Sequence, residues 1–137
     1  MTLPAFGQGV DPLIGTWKLN LEKSTSTNPL QKSQTNAGEG HNFTLTVDGV
    51  DAQGQAYKMI VRHIYDGQPH PTTGNPNYDS TAFTRVGNTI NAVRFRNRKV
   101  VEVAQGVIVP GKTYKFREEG IDVNGQPYHV IFAFDRQ

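Results

Sequence analysis

The stretch GVDAQGQAY at residues 49–57 recurs as GIDVNGQPY at residues 120–128. Each copy places an Asp-x-Gln/Asn-Gly-Gln core between two runs that are rich in β-branched and aromatic residues. Asp favours the opening of a type I turn, and Gly favours the left-handed position that follows it. The pattern therefore predicts the same three-residue hairpin loop at two places in the chain.

Counting outward from these two turns predicts which residues face each other across each hairpin. The pairs expected on one shared, mainly apolar face are Val47–Met59, Leu45–Val61, Phe43–His63, Glu118–Val130, Phe116–Phe132 and Tyr114–Phe134. The opposite face is mostly polar and carries Thr44, Thr46, Lys58, Arg62, Lys115, Arg117, Glu119 and His129. An inside and an outside are thus assigned from the pattern alone.

Composition extends the β assignment to the whole chain. Val and Thr occur 13 times each, against 6 Leu and 8 Ala, which is typical of strands rather than of helices. The period-two runs predict eight strands, at residues 13–21, 41–48, 57–65, 80–86, 90–97, 100–105, 113–119 and 128–134. Residues 106–109 are a possible extension of the sixth strand.

Eight antiparallel strands with one apolar face must close on themselves or pack as two sheets. The short links at residues 86–89, 96–98 and 110–112 favour sequential strands that close into a barrel. We therefore expect an all-β, single antiparallel eight-stranded up-and-down β-barrel domain over residues 11–137. Such a barrel has room for one small ligand.

The composition also excludes several classes of protein. The chain has no Cys, which excludes a disulfide scaffold, a Cys-ligated metal and a thiol nucleophile. A net charge of only +2 argues against a strongly electrostatic nucleic-acid binder. We expect no cofactor, no nucleic-acid partner and no membrane span.

One basic run interrupts the even mixture of charges. It consists of Arg94, Arg96, Arg98 and Lys99, with Phe95 between the first two. Alternation predicts that Phe95 points inward and that Arg94 and Arg96 lie on an ordinary solvated strand face. The opposite register, with both arginines inside as a carboxylate clamp, stays open as the alternative.

The segment DPLIGTWKLN at residues 11–20 resembles the opening of lipocalin-like (calycin-type) barrels, in which Gly-x-Trp begins the first strand. The resemblance extends to a family of small bacterial, usually exported, lipocalin-like β-barrel proteins of uncharacterised function. The motifs that carry it are GTWKLN at 15–20, YDG at 65–67, TGNP at 73–76, the two DxxGQ turns and DRQ at 135–137.

The resemblance implies a barrel and export, and it brings no catalytic residues. It also implies that Arg136 stacks over Trp17, a structural role. Residues 1–10 are interpreted as a disordered tail or a signal-peptide remnant, because residues 5–7 fit a small-x-small cleavage site. A periplasmic or secreted location is therefore expected, with a cytoplasmic one as the alternative.

The predicted interior contains an unusual number of aromatic and titratable side chains. The candidate ligand-binding residues are His41, Phe43, His63, Tyr65, Tyr78, Tyr114, Phe116, Glu118, Tyr128 and Phe132. His63 and Glu118 are also the candidate catalytic residues, since acid–base chemistry needs titratable groups in a partly dry pocket. His41 and His63 fall diagonally across a hairpin but lack a third ligand, so no metal site is predicted.

Two long segments connect predicted strands. Residues 66–79 contain three prolines and two glycines, and they form either a lid that presents Tyr78 and His70 to a ligand or a rigid surface connection. Residues 23–40, rich in Ser, Thr, Asn and Gln, form the other connection.

Three classes of function remain open. The first is a carrier or sensor that binds a small, hydrophobic or aromatic molecule inside the barrel. The second is an enzyme that uses the same cavity for acid–base chemistry on an apolar substrate. The third is an extracytoplasmic interaction module with a filled barrel. The sequence does not determine the oligomeric state.

Overall fold

The computed structural model describes residues 11–25, 30–39, 42–50 and 54–137. Over these residues the chain is all-β, with a single 3-10 turn at Leu21–Lys23 and no α-helix. The strands are β1 Gly15–Leu19, β2 Leu30–Glu39, β3 Asn42–Val50, β4 Ala56–Ile64, β5 His70–Thr73, β6 Ser80–Val86, β7 Thr89–Arg96, β8 Lys99–Val109, β9 Thr113–Ile121 and β10 Pro127–Arg136. None of the described segments is a helix of the length and apolarity needed to cross a bilayer.

The ten strands form one strongly curled, barrel-like antiparallel sheet. Each strand pairs with the next along the chain, and β1 pairs with both β2 and β10. This confirms the all-β antiparallel prediction. The expected number of eight strands was wrong, because the two segments interpreted as connections each contribute a strand to the sheet.

The first additional strand, β2, spans ten residues of sequence LQKSQTNAGE and pairs with β1 and β3. Its polar composition lacks the apolar alternation that predicts strands, whereas strand pairing itself requires only backbone groups. The second, β5, has the sequence HPTT and lies between β4 and β6. Pro71 and the four-residue length hid it from the sequence pattern.

The structure places the candidate lid within the sheet. Thr72 donates its amide to the Asp79 carbonyl at 2.9 Å, and its Oγ1 lies 2.7 Å from Oγ1 of Thr81 in a hydrogen bond. Gly67 donates to the Phe83 carbonyl at 2.9 Å. Part of the segment 66–79, including β5, is therefore hydrogen-bonded to β6.

The predicted register of both hairpins is confirmed. The observed pairs include Val47–Met59, Leu45–Val61, Phe43–His63, Glu118–Val130, Phe116–Phe132 and Tyr114–Phe134. At the second turn, Gly125 has φ of 79° and donates to the Asp122 carbonyl at 3.0 Å. Residues 51–53 of the first turn lie outside the described residues. Gly54, which follows them and is described, has a similar φ of 81°.

Trp17 and Arg136 join the first and last strands. The two residues pair across β1 and β10, and the guanidinium lies 5.4 Å from the indole centroid, as the resemblance implied. Gly15 makes room for this contact, because a Cβ at that position would stand 2.1 Å from the Arg136 guanidinium. Trp17 also donates its Nε1 to the Leu13 carbonyl at 3.0 Å.

The inward face of β7 is the opposite of the one expected. Arg94 is buried together with Ile90 and Ala92, whereas Val93 and Phe95 are only partly buried. The prediction of an outer arginine face was wrong, because neighbouring strands supply carboxylates that make burial of a guanidinium tolerable. Arg96 lies beyond a register shift and is half-buried, donating to the Asn77 carbonyl at 2.7 Å.

Candidate functional site

Three charged side chains from adjacent strands meet inside the sheet. Arg94 of β7, Glu102 of β8 and Glu118 of β9 are 3%, 2% and 7% exposed. One guanidinium nitrogen of Arg94, Nη1, donates to Oε2 of Glu102 at 2.6 Å and to Oε2 of Glu118 at 2.8 Å. We call these three residues the buried cluster. The cluster forms because β7, β8 and β9 are neighbours in the sheet, and each points one of these three side chains to the inner face at adjacent positions.

Aromatic residues surround the buried cluster. The Tyr128 hydroxyl donates a short hydrogen bond to Oε1 of Glu102. The Arg94 guanidinium lies 4.6 Å from the ring centroid of Tyr78 and 5.4 Å from that of Phe116. A guanidinium over aromatic faces is stabilised by their negative potential, so the cation is held from several sides.

Burial and charge determine the protonation of the cluster. Burial raises the pKa of Glu118 well above its ordinary value, and the nearby Glu102 raises it further. Burial and the same Glu102 carboxylate also raise the pKa of Tyr128, so its hydroxyl keeps its proton and remains a donor. The Arg94 guanidinium acts in the opposite direction on Glu118, since it lies close to this carboxyl group and bonds to it.

A second polar network ends at His63. The His63 ring is 2% exposed and stacks on Phe83 with centroids 4.1 Å apart. Its Nδ1 lies 3.3 Å from the Tyr65 hydroxyl, which accepts from Arg85 at 3.2 Å. Arg85 also makes a short salt bridge to Asp11. The network thus links β4 and β6 to the residues that precede β1.

His63 is neutral over the whole physiological range. Burial lowers its pKa from 6.5 to about 3, and the positive charges of Arg94 and Arg85 act in the same direction. A group with that pKa is a weak general base and is not protonated to act as an acid at neutral pH. This disfavours the enzyme hypothesis in the form that used His63.

The described residues enclose a small cavity beside the cluster. Its volume is about 10 Å³, and it is lined by Leu45, Val47, Met59, His63, Phe83, Arg94, Tyr114 and Phe116. This volume corresponds to roughly one water molecule. Nε of Arg94 is fully buried and has no hydrogen-bond partner among the described residues.

The structure brings together part of the predicted site. His63, Tyr114 and Phe116 line the cavity; Glu118 joins the buried cluster. The other predicted residues whose side chains are described are buried or half-buried, namely Tyr65, Tyr78, Tyr128 and Phe132. His41 lies outside the described residues, and Phe43 is described only by its backbone pairing with His63.

Some of the residues that matter most escaped the sequence reasoning. Glu102 and the Asp11–Arg85 pair were not among the candidates, and Arg94 was assigned to the outside. The sequence could have indicated Glu102, because it lies an even number of residues from Ala104 and Ile108 on β8 and therefore points to the same inner face. His70 lies outside the cavity wall and bonds to Asp66 with Nε2 2.9 Å from Oδ2.

The described residues define a barrel-like, all-β protein with an ion-paired interior. Within them no three His, Asp or Glu side chains are grouped in a way that could hold a metal ion. A scan against protein-family models and a search of curated proteins each returned no match. The function is therefore argued from the interior itself.

Proposed function

We propose that this chain is an exported, lipocalin-like carrier or sensor that binds one small and largely apolar molecule in its interior. The proposed site is the cavity lined by Met59, His63, Arg94 and their apolar neighbours. Binding sites of this kind combine apolar walls with a few polar groups that orient the ligand.

The observation that carries the proposal is the cavity itself, whose wall is mainly apolar and includes the buried Arg94. A small apolar molecule placed there gains contact with Leu45, Val47 and the aromatic rings of the wall. Arg94 adds a charged group to this wall, so the cavity combines apolar contact with a polar feature that can orient a ligand.

The size of the cavity sets a condition on binding. At about 10 Å³ it holds a water-sized group, so the rest of any larger ligand requires a lining side chain to move. Met59 is suited to this because an unbranched thioether side chain has several rotamers of similar energy. Its sulfur accepts hydrogen bonds from Tyr78 at 3.3 Å and from Asn75 at 3.7 Å. A change of the Met59 rotamer would break these two hydrogen bonds.

Native mass spectrometry of the protein purified from cell extract tests this proposal. We expect one small-molecule adduct on the wild-type chain and its loss from Leu45→Phe, which fills the cavity. Thr44→Phe is the matched control, since it places the same ring at the next position of β3 on the exposed face. Val47→Leu is a milder filling variant, because overpacking a core costs about 1–3 kcal/mol.

Two results would contradict the proposal. One is a wild-type protein that takes up nothing from extract, which supports a filled barrel. The other is an adduct that both filling variants retain as fully as Thr44→Phe does, which places the ligand elsewhere. Chemical change of the recovered compound on incubation would instead favour the enzyme class.

A second candidate, the interaction module, is favoured by the outer face of β8. Val103, Val107 and Val109 alternate along this strand and are 50%, 45% and 44% exposed. Ile121 at the end of β9 is 49% exposed. Apolar side chains grouped on a surface are a common feature of interaction sites. Capture of a partner that survives Leu45→Phe and is lost on substitution of these valines would favour this class.

A further inference from the structure

One connection between strands sends a side chain into the interior of the sheet. Residues 74–79 join β5 to β6, and Tyr78 is the one buried residue among them, at 4% exposed. Three of the other five residues are exposed and two are half-buried. The ring of Tyr78 therefore fills interior space from a connection, whereas Met59 and Arg94, which it contacts, belong to strands.

Two residues of the cavity wall contact this ring. The guanidinium carbon of Arg94 lies over the face of Tyr78, 4.6 Å from the ring centroid, a distance at which the cation is attracted to the ring. The Tyr78 hydroxyl donates to the sulfur of Met59 at 3.3 Å. Because Arg94 and Met59 also line the cavity, the space that the ring fills lies beside the cavity.

The Tyr78 ring occupies room that a ligand needs. The cavity itself has a volume of about 10 Å³, which holds a water-sized group. Withdrawal of the ring would add the space of one aromatic ring against the same two wall residues. That space favours another aromatic ring, because such an occupant restores both the apolar contact and the attraction to the guanidinium.

The hydrogen bonds that hold Tyr78 inside are weak or lie on its neighbour. Its hydroxyl bonds to a thioether, which is a weak acceptor that water readily replaces. Asn77 fastens the connection to two neighbouring turns, since its carbonyl accepts from Arg96 at 2.7 Å and its Oδ1 accepts from the Val123 amide at 3.1 Å. Outward movement of Tyr78 therefore breaks the weak bond to Met59 and the two bonds that Asn77 accepts.

The two ends of the connection are fixed. Gly74 packs closely on the backbone of β4. At the other end, the Asp79 amide donates to the Phe95 carbonyl at 2.8 Å. Any movement of Tyr78 is therefore confined to residues 75–78.

We infer that Tyr78 occupies part of the ligand site and that the ligand is a monocyclic aromatic molecule, in particular a phenol, that displaces this ring. The inference rests on the proposed function and specifies its ligand class. In the liganded protein the ligand ring lies over Arg94 with its hydroxyl toward Met59, and residues 75–78 carry Tyr78 outward. The apparent affinity is then reduced in proportion to the fraction of molecules in which the site is open.

Fluorine NMR of the wild-type chain tests the displacement directly. The five tyrosines are replaced biosynthetically by 3-fluorotyrosine, and the signal of Tyr78 is assigned by its loss in Tyr78→Phe. We expect titration with p-cresol, the tyrosine side chain as a free molecule, to move this signal saturably to the position of a solvent-exposed fluorotyrosine. 4-Methylcyclohexanol, which has a similar size but no aromatic face, should bind at least about fivefold more weakly.

Two variants measure the competition between Tyr78 and the ligand. Asn77→Ala removes the bond to the Val123 amide without creating interior space, so we expect p-cresol to bind about two- to tenfold more tightly. Asn124→Ala is its control, since this exposed asparagine lies in the facing turn and its substitution should leave the affinity unchanged. Tyr78→Ala removes the competing ring, and we expect it to bind p-cresol at least about tenfold more tightly than the wild-type chain does.

Three results would overturn the inference. Saturable binding of p-cresol that leaves the Tyr78 signal unmoved shows that this ring is a fixed part of the interior. Equal affinities for p-cresol and 4-methylcyclohexanol remove the aromatic preference, and no binding of p-cresol by the wild-type chain removes the ligand class. Native mass spectrometry with cell extract keeps the proposed function separate. An adduct that Leu45→Phe loses, found together with any of these three results, contradicts the ligand class or the displacement and leaves interior binding intact.

Discussion

At the scale of single residues, His63 makes folding sensitive to acid. The unfolded chain takes up a proton at this residue near pH 6.5, whereas the folded chain does so only at about pH 3. The stabilisation from a neutral His63 is therefore present above pH 6.5 and is lost as the pH falls toward 3. Within this window a single proton changes the unfolding free energy by about 1.4 kcal/mol per pH unit.

We predict that His63→Phe reduces the pH dependence of stability by about this slope. Phenylalanine keeps the stacking on Phe83 and removes the titrating group. Urea unfolding at several pH values between 7 and 4 measures the slope. His129→Gln is the control, since it removes an exposed histidine in place of the buried one. Equal slopes for the wild-type chain and His63→Phe would contradict the assigned protonation state.

Two residues of the same buried cluster differed in how well the sequence predicted them. Glu118 was placed inside because it lies a fixed count from a turn whose chemistry sets the register. Arg94 was not, because its partners lie 8 and 24 residues away in the chain. From alternation alone, an arginine is expected on the outer face of a strand. Only the pairing of β7 with β8 and of β8 with β9 shows the two carboxyl groups that make its burial favourable.

At the scale of elements, the hairpins with strong turn signals were predictable and the strands without them were not. The pattern located β6 at its observed bounds, and it foresaw the extension of β8 to Val109. The ten-residue β2 has no apolar alternation, and the four-residue β5 contains a proline. Both owe their conformation to the strands on either side, which is information that a local pattern lacks.

Gly74 shows how closely the end of β5 approaches β4. A Cβ there would stand 2.0 Å from the Lys58 carbonyl oxygen and 2.9 Å from Cα of Met59, and φ is 92°. These are backbone atoms, so a side chain cannot be accommodated by a rotamer change. The glycine is therefore required for β5 to pack against β4.

We predict that Gly74→Ala destabilises the fold by at least about 1–2 kcal/mol more than Gly67→Ala does. Gly67 has a comparable φ of 72°, but its added Cβ would meet only Thr84 Cγ2, at 3.6 Å. Both variants have the cost of an alanine at positive φ, whereas only Gly74→Ala also crowds backbone atoms. The difference between the two variants therefore measures the crowding. Urea unfolding of the two variants gives the difference, and equal losses of stability would show that β5 can move away from β4.

At the scale of the whole molecule, the curled sheet separates two chemically different surfaces. The inner one carries an ion-paired cluster and a small cavity. The outer one carries the exposed valines of β8, which point away from Ala104 and Ile108 on the inner face. Because a strand alternates its side chains between the two faces, substitutions on one face can leave the other unchanged.

We predict that Val103→Thr with Val107→Thr leaves the occupancy of the interior small-molecule adduct within about twofold of the wild-type value. Threonine has nearly the shape of valine and favours strands equally well, so stability should change by less than about 0.5 kcal/mol. Native mass spectrometry and urea unfolding measure both quantities, with Leu45→Phe as the opposite case that abolishes interior binding. If the double variant loses the adduct as fully as Leu45→Phe does, the two faces are coupled. Interior ligand binding and outer-face recognition would then belong to one function, with the sheet itself as the connection between them.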